Sequence, residues 1–231
     1  MLFLWFFKLN ADSGLWGSAL QGRVHSARLG EFVAYAWEDA RNGDWDIYLS
    51  IFKGSSPIVE DIRANPDSSV GDQVRPRLAW SPQGILAVVW EDRSFEYPKI
   101  RFALYDTTGR LLYRAFFADN SVEDESQTSP AVCWAGGYLF IAWERYYLGR
   151  RQVAVRRFLP NGAPMSETVI LSGDTSTSAI EPTLAGNDSY LMAAWRSFAG
   201  TTWNIVYTIA DLELNLYSYP TPILQEGDQK H

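Results

Sequence analysis

A short polar cluster follows each of four apolar runs in this chain of 231 residues. The clusters are Glu38, Asp39 and Arg41; Glu91, Asp92 and Arg93; Glu144 and Arg145; and Arg196 alone. Carboxylates beside guanidinium groups can bind a sugar or another polar ligand, with neighbouring aromatics as stacking platforms. The same groups can also pair among themselves and tie one unit to the next. Repetition favours that structural use, because a catalytic group is needed once and a tie is needed in every unit. Asp39, Asn42, Asp44 and Asp46 are hard oxygen donors around Gly43, a composition that calcium accepts. The set lacks the distal Glu of a complete calcium loop and is lost in the other units, so capping of a strand competes with metal binding. Glu123-Asp124-Glu125 is a carboxylate run of the sort that supplies acid and base for glycosidic hydrolysis, or simply a solvated loop. Arg150, Arg151, Arg156 and Arg157 bracket one extended run and could meet an acidic ligand.

Other chemistries find little support. Cys133 is the sole cysteine and sits in the apolar stretch Ala131-Val132-Cys133-Trp134, which reads as a small buried hydrophobe. The two histidines, His25 and His231, are far from it in sequence, which argues against Cys-His, Ser-His-Asp and histidine-rich metal arrangements. No glycine-rich phosphate loop, dinucleotide fingerprint or zinc spacing is present. A net charge of −7 argues against a nucleic-acid partner and against docking on an anionic membrane. The apolar start, Met1 to Phe7, is too short to span a bilayer and lacks the basic region and cleavage site of a signal peptide. No membrane insertion and no signal peptide are therefore expected.

These residues need strands to hold them. Trp37, Trp90, Trp143 and Trp195 each close an apolar run, at spacings of 53, 53 and 52 residues. Gln73-x-x-Pro76 and Gln127-x-x-Pro130 precede the second and third tryptophans; Pro182 precedes the fourth, with Ala179 at the Gln position. The second unit shows four extended runs: Arg77–Trp80 (A), Ile85–Trp90 (B), Lys99–Tyr105 (C) and Leu111–Phe117 (D). Ser81-Pro82-Gln83-Gly84 and Asp106-Thr107-Thr108-Gly109 supply turns between them. Run B is apolar throughout, as in a strand buried on both faces. Aromatics make up 15% of the chain, which suits pleated packing, and helix signals are weak.

Four antiparallel strands per repeat define the blade of a β-propeller, and the tryptophans are expected between blades. The expected fold is all-β, a propeller of four full blades of about 52 residues plus a partial one. The divisions are a partial blade at 1–20, blades at 21–72, 73–126, 127–178 and 179–228, and a further repeat starting at 229–231. This frame implies an incomplete ring that continues into further blades or closes with another copy. In a propeller the B–C and D–A loops share one face, so the Trp-Glu-Asp-x-Arg clusters should ring the channel mouth.

Two segments carry a family resemblance. Ala36-Trp37-Glu38-Asp39-Ala40-Arg41-Asn42-Gly43-Asp44-Trp45-Asp46-Ile47-Tyr48 and Lys8-Leu9-Asn10-Ala11-Asp12-Ser13-Gly14-Leu15-Trp16-Gly17 resemble the sialidase-like propeller repeats of large secreted or surface proteins of bacteria and archaea. Asp12-Ser13-Gly14-Leu15-Trp16 is one residue short of the sialidase Asp-box. The resemblance implies an extracellular or cell-surface location and a glycan or protein partner. The repeats show no long insertion that would bring a carboxylate pair to the channel. The expectation is therefore a non-catalytic binding or scaffold module working through its loop face. The alternatives are a sialidase-like glycoside hydrolase and a propeller segment that closes by oligomerisation.

Overall fold

The computed structural model describes residues 20–66, 70–119, 123–173 and 178–223. They form four antiparallel four-stranded sheets, the blades of a β-propeller. The first blade holds β1 (Gln21–Leu29), β2 (Phe32–Asp39), β3 (Asp46–Lys53) and β4 (Ser56–Arg63). The second holds β5 (Gln73–Trp80), β6 (Leu86–Asp92), β7 (Lys99–Tyr105) and β8 (Leu111–Phe117). The third holds β9 (Ser126–Ala135), β10 (Tyr138–Tyr147), β11 (Arg150–Phe158) and β12 (Val169–Ile170). The fourth holds β13 (Ser178–Gly186), β14 (Tyr190–Ala199), β15 (Thr202–Asp211) and β16 (Thr221–Pro222). The expected partial blade at 1–20, with its Asp12–Trp16 segment, and the echo at 229–231 lie outside the described residues apart from Leu20. No described helix is long and apolar enough to cross a membrane.

Side chains alternate across each blade, so one strand serves two interfaces. In β6, Leu86, Val88 and Trp90 pack towards the first blade with Ala34, Ala36 and Leu49. Its other face, Ala87 and Val89, packs towards the third blade with Leu139, Ile141 and Trp143. Phe140 and Ala142 of β10 then meet Leu191, Ala193 and Trp195 of β14. Trp90, Trp143 and Trp195 are thus interblade core, each turned towards the preceding blade, and at most 2% exposed. This explains the even spacing: each blade must fill the same wedge beside its predecessor.

Strands C and D of the second unit fall where the sequence places them, whereas strand A begins earlier, at Gln73 rather than Arg77. Pro76 reads as a break but sits within the strand, because β5 is an edge strand and carries a bulge there. The register shifts at the same place in β1, β9 and β13. Arg75, Ser129 and Glu181, the residues before the prolines, take left-handed φ values of 57°, 51° and 54°.

The C–D hairpin also repeats. Asp106 closes its turn by accepting from the Thr108 and Arg110 amides at 2.8 and 3.0 Å. Gly109 has φ 76°, and a Cβ there would stand 2.1 Å from Val59 of the first blade. Glycine therefore meets two demands at this position, a left-handed backbone and the close approach of the neighbouring blade.

Candidate functional site

The bulges explain what the glutamates after the tryptophans do. The Arg75 amide donates to Glu38 Oε1 at 2.7 Å, and the Ser129 amide donates to Glu91 Oε2 at 3.1 Å. Each carboxylate therefore binds an amide that the bulge in the next blade turns outwards. Guanidinium groups complete the set: Arg93 Nε lies 2.7 Å from Glu91, and Arg75 Nη1 lies 3.4 Å from it. Arg75 also donates to Ser129 Oγ at 2.8 Å, crossing from the second blade to the third. Glu144 pairs with Arg151 within its own blade. Arg196 pairs with Glu181 at 3.0 Å and lies over the Trp203 ring.

The aspartates behave differently. Asp39 accepts from Trp37 Nε1 at 3.1 Å, from Gln21 Nε2 at 3.1 Å and from the fork of Arg41. Burial raises its pKa, but the bonds from Arg41 and Trp37 outweigh burial and hold the carboxyl below its usual range. Arg41 is held further by Asp61 at 2.6 Å and by the Tyr48 ring at 4.0 Å. Asp92 accepts from Gln73 Nε2 at 2.8 Å and pairs with Arg101 at 3.1 Å. Arg145 pairs with Glu125. The nine singled-out residues are thus held as interblade and intrablade ties, each with a partner of its own. Glu38 with the Arg75 amide, and Glu91 with the Ser129 amide, bridge blades directly.

The calcium candidates do not form a ligand cage. Asn42 turns its amide donors to Asp46 and the Tyr48 hydroxyl, both at 2.9 Å. Asp46 also pairs with Arg63 at 2.7 Å and accepts from Asn65. Asp44 accepts from the Gly71 amide at 3.1 Å. No group of three metal-ligating side chains converges among the described residues. The oxygen-rich composition serves hydrogen bonds within the loop and to Arg63, Asn65 and Gly71 instead.

A cationic wall lies along the inner strands of the first two blades. Burial lowers the pKa of Arg77, with Arg23 and Arg75 adding like charge. His25 Nδ1 accepts from the Leu78 amide at 3.2 Å, which requires a lone pair on that nitrogen. Burial and Arg77 both keep this imidazole neutral by lowering its pKa.

The loop face also carries a cleft of about 580 Å³ between the β6–β7 and β8–β9 connections. Phe95, Glu96, Tyr97 and Lys99 form one side; Phe117, Glu123 and Asp124 form the other. The Phe95 and Phe117 rings meet edge to face at 5.6 Å. Two bonds clamp the sides together: the Gln127 amide donates to the Pro98 carbonyl at 2.7 Å, and the Ile100 amide donates to Gln127 Oε1 at 3.0 Å. Lys99 Nζ donates to the Glu125 carbonyl at 2.8 Å. Burial lowers the Lys99 pKa against the opposing pull of Glu125, Asp119, Asp124 and Glu123. Aromatic faces suit the apolar face of a sugar ring, and carboxylates suit its hydroxyls. Glu96 and the Glu123–Asp124 pair stand on different loops, as the two flanks of a scissile bond require.

The carboxylate run at 123–125 therefore divides, with Glu125 tied to Arg145 and Glu123 and Asp124 lining the cleft. Phe95, Glu96, Tyr97 and Phe117 were not legible as site residues. The available signal was the Phe95-Glu96-Tyr97 loop, which sets an acidic residue between two aromatic ones.

No protein-family model matches the chain, and no curated protein sequence does. Solved structures share its fold. A thermostable family-43 glycoside hydrolase matches at TM-score 0.52 and 11% identity, over 88% of this chain and 72% of that one. An α-L-arabinanase of Penicillium chrysogenum, solved with arabinobiose, matches at TM-score 0.56 and 13% identity, over 88% of this chain and 65% of that one. A neuraminidase-like protein of A/little yellow-shouldered bat/Guatemala matches at TM-score 0.56 and 9% identity, over 86% of this chain and 58% of that one.

These likenesses, at 9–13% identity, show the β-propeller fold. They count against the expectation of a non-catalytic binding or scaffold module, because the neighbours that share this fold are named as glycoside hydrolases. The evenness of the repeats misled here for a physical reason. A carboxylate pair can face a cleft from two loops of ordinary length, as Glu96 and Glu123–Asp124 do, so no insertion is needed.

Proposed function

We propose that the protein is a glycoside hydrolase of sialidase-like propeller shape, with the Phe95–Asp124 cleft as its substrate site. The carrying observation is that three aromatic rings and three carboxylates line one cavity on the loop face. The sugar stacks on Phe95, Tyr97 or Phe117. Glu96 works with Glu123 or Asp124, one carboxyl protonating the leaving oxygen and the other serving as nucleophile or as base towards water. Lys99 lines the same cavity, its ammonium held by the Glu125 carbonyl at 2.8 Å. The family-43 and arabinanase likenesses support arabinose-containing glycans as the first substrates to try. The Trp-Glu-Asp-x-Arg repeats, similar to those of secreted and surface proteins, support a site of action outside the cell on a glycan partner.

The test is hydrolysis of arabinan and of a panel of aryl glycosides by the wild type, Glu96→Gln, Glu123→Gln and Asp124→Asn. Glu96→Gln is expected to lower kcat by about 10²- to 10⁴-fold, the usual share of a general acid or base. One of the other two variants should fall similarly. Unchanged turnover in all three variants, or no turnover by the wild type, would refute the assignment.

A further inference from the structure

We infer that the outer face of the fourth blade is a self-association surface, on which a second copy of this chain seats the same face about a two-fold axis. The internal repeat gives the comparison. On the face turned towards the next blade, Ala87 and Val89 of β6 are 0% exposed, as are Phe140 and Ala142 of β10. In β14 that face is Tyr190, Met192, Ala194, Arg196 and Phe198; its cross-strand partners in β15 are Asp211, Ile209, Tyr207, Ile205 and Trp203. Here Tyr190 is 49% exposed, Met192 44%, Trp203 43% and Ile205 48%. Tyr217 stacks edge to face on Tyr190, and Ile223 hydrogen-bonds beside Ile205; they are 63% and 56% exposed. The opposite face of the same strands, with Trp195 and Val206, is buried against the third blade.

The occupant follows from area, charge and shape. Side chains of roughly 200 Å² each, about half exposed, leave on the order of 600 Å² of apolar surface in water across these six residues. That is at the top of the range for a monomer and close to the roughly 800 Å² per partner of a standard interface. The charged residues on this face of β14 and β15 are Arg196, which already pairs with Glu181, and Asp211 at the end of β15. A pleated face that is apolar between these two charges can seat a copy of itself. Two copies pack as an aligned β-sandwich with sheets about 10 Å apart, in the closed two-fold arrangement that is commonest among homo-oligomers. A shallow hollow of about 350 Å³, lined by Tyr190, Met192, Ile209 and Gly186, gives protruding side chains of the other copy a seat. The cleft on the second blade takes no part in the contact, so this inference stands apart from the hydrolase reading.

The test is the solution mass of the full chain by sedimentation and light scattering from 1 to 100 µM, concentrations chosen to bracket a micromolar dimer. The expected mass is twice the chain's 26.1 kDa. Ile205→Asp and Met192→Glu should each weaken the dimer by at least about 100-fold, because a charge would be buried in an apolar interface. Leu148→Asp is the control: Leu148 is 78% exposed on the turn between β10 and β11, and its replacement should leave the mass unchanged. If Ile205→Asp does not fold, judged by circular dichroism, Met192→Glu gives the same reading. A wild type that stays monomeric at 100 µM would overturn the inference and assign the face to cover from its own chain. A dimer that survives both substitutions would overturn it too.

Discussion

Replacing Glu91 by alanine should loosen the joint between the second and third blades. Glu91 is 0% exposed and accepts from the Ser129 amide at 3.1 Å. Truncation strands that amide, which costs about 1–3 kcal/mol when the group is cut off from water. The pair with Arg93 adds less than about 1 kcal/mol, since its guanidinium is part-exposed and solvent screens it. The lost packing of one methylene and the carboxyl group adds roughly another 1 kcal/mol. A total of about 3 kcal/mol in a chain of this size lowers Tm by about 6–12 °C. Glu91→Gln keeps the shape and one acceptor, so it should lose less than half as much. Calorimetry and urea unfolding of the two variants provide the assay. A Glu91→Ala protein melting within about 2 °C of wild type, or a Gln variant no better than Ala, would refute the clip account.

Three further expectations concern titration. Asp39 has a depressed folded pKa, so its stabilisation is complete above the unfolded value of about 3.9 and is lost as pH falls through the lower folded value. The stability gap between wild type and Asp39→Asn, from urea unfolding, should be constant at pH 5–7 and close towards pH 3. His25 also has a lowered folded pKa, so the folded state binds fewer protons and stability is lost as pH falls below about 6.5. The drop in urea midpoint from pH 7 to pH 5 should be smaller in His25→Gln than in wild type. Burial pushes the Cys133 thiol up to about 12, leaving a thiolate fraction of about 10⁻⁴ at pH 8. An aromatic disulfide reagent should label it at least about 100-fold more slowly in the native protein than in urea.

The sequence made the frame of the fold plain and the site nearly invisible. Leu86 to Trp90 announce a strand buried on both faces, and the tryptophan at its end marks the wedge that every blade must fill. Strand A was half hidden, because Pro76 breaks a strand pattern unless one knows that β5 is an edge strand with a bulge. The polar clusters after the tryptophans drew attention as ligand residues, yet their evenness was the mark of a repeated joint. Asp39 and Arg41 look like a site and are instead tied to each other, to Trp37 and to Asp61. The cleft depends on Phe95, in the β6–β7 loop, meeting Phe117, at the end of β8, and Gln127 clamps the neighbouring connections together. No spacing rule along the chain encodes that approach.

The central claim is that the cleft on the loop face of the second blade hydrolyses a glycosidic bond. The most direct measurement is kcat for release of reducing sugar from arabinan and related glycans, comparing wild type with a Glu96→Gln, Glu123→Gln, Asp124→Asn triple variant of equal melting temperature. The account predicts turnover by the wild type and a fall of at least about 10³-fold in the triple variant. Equal rates in the two proteins, or no sugar released by the wild type from any glycan in the panel, would contradict it.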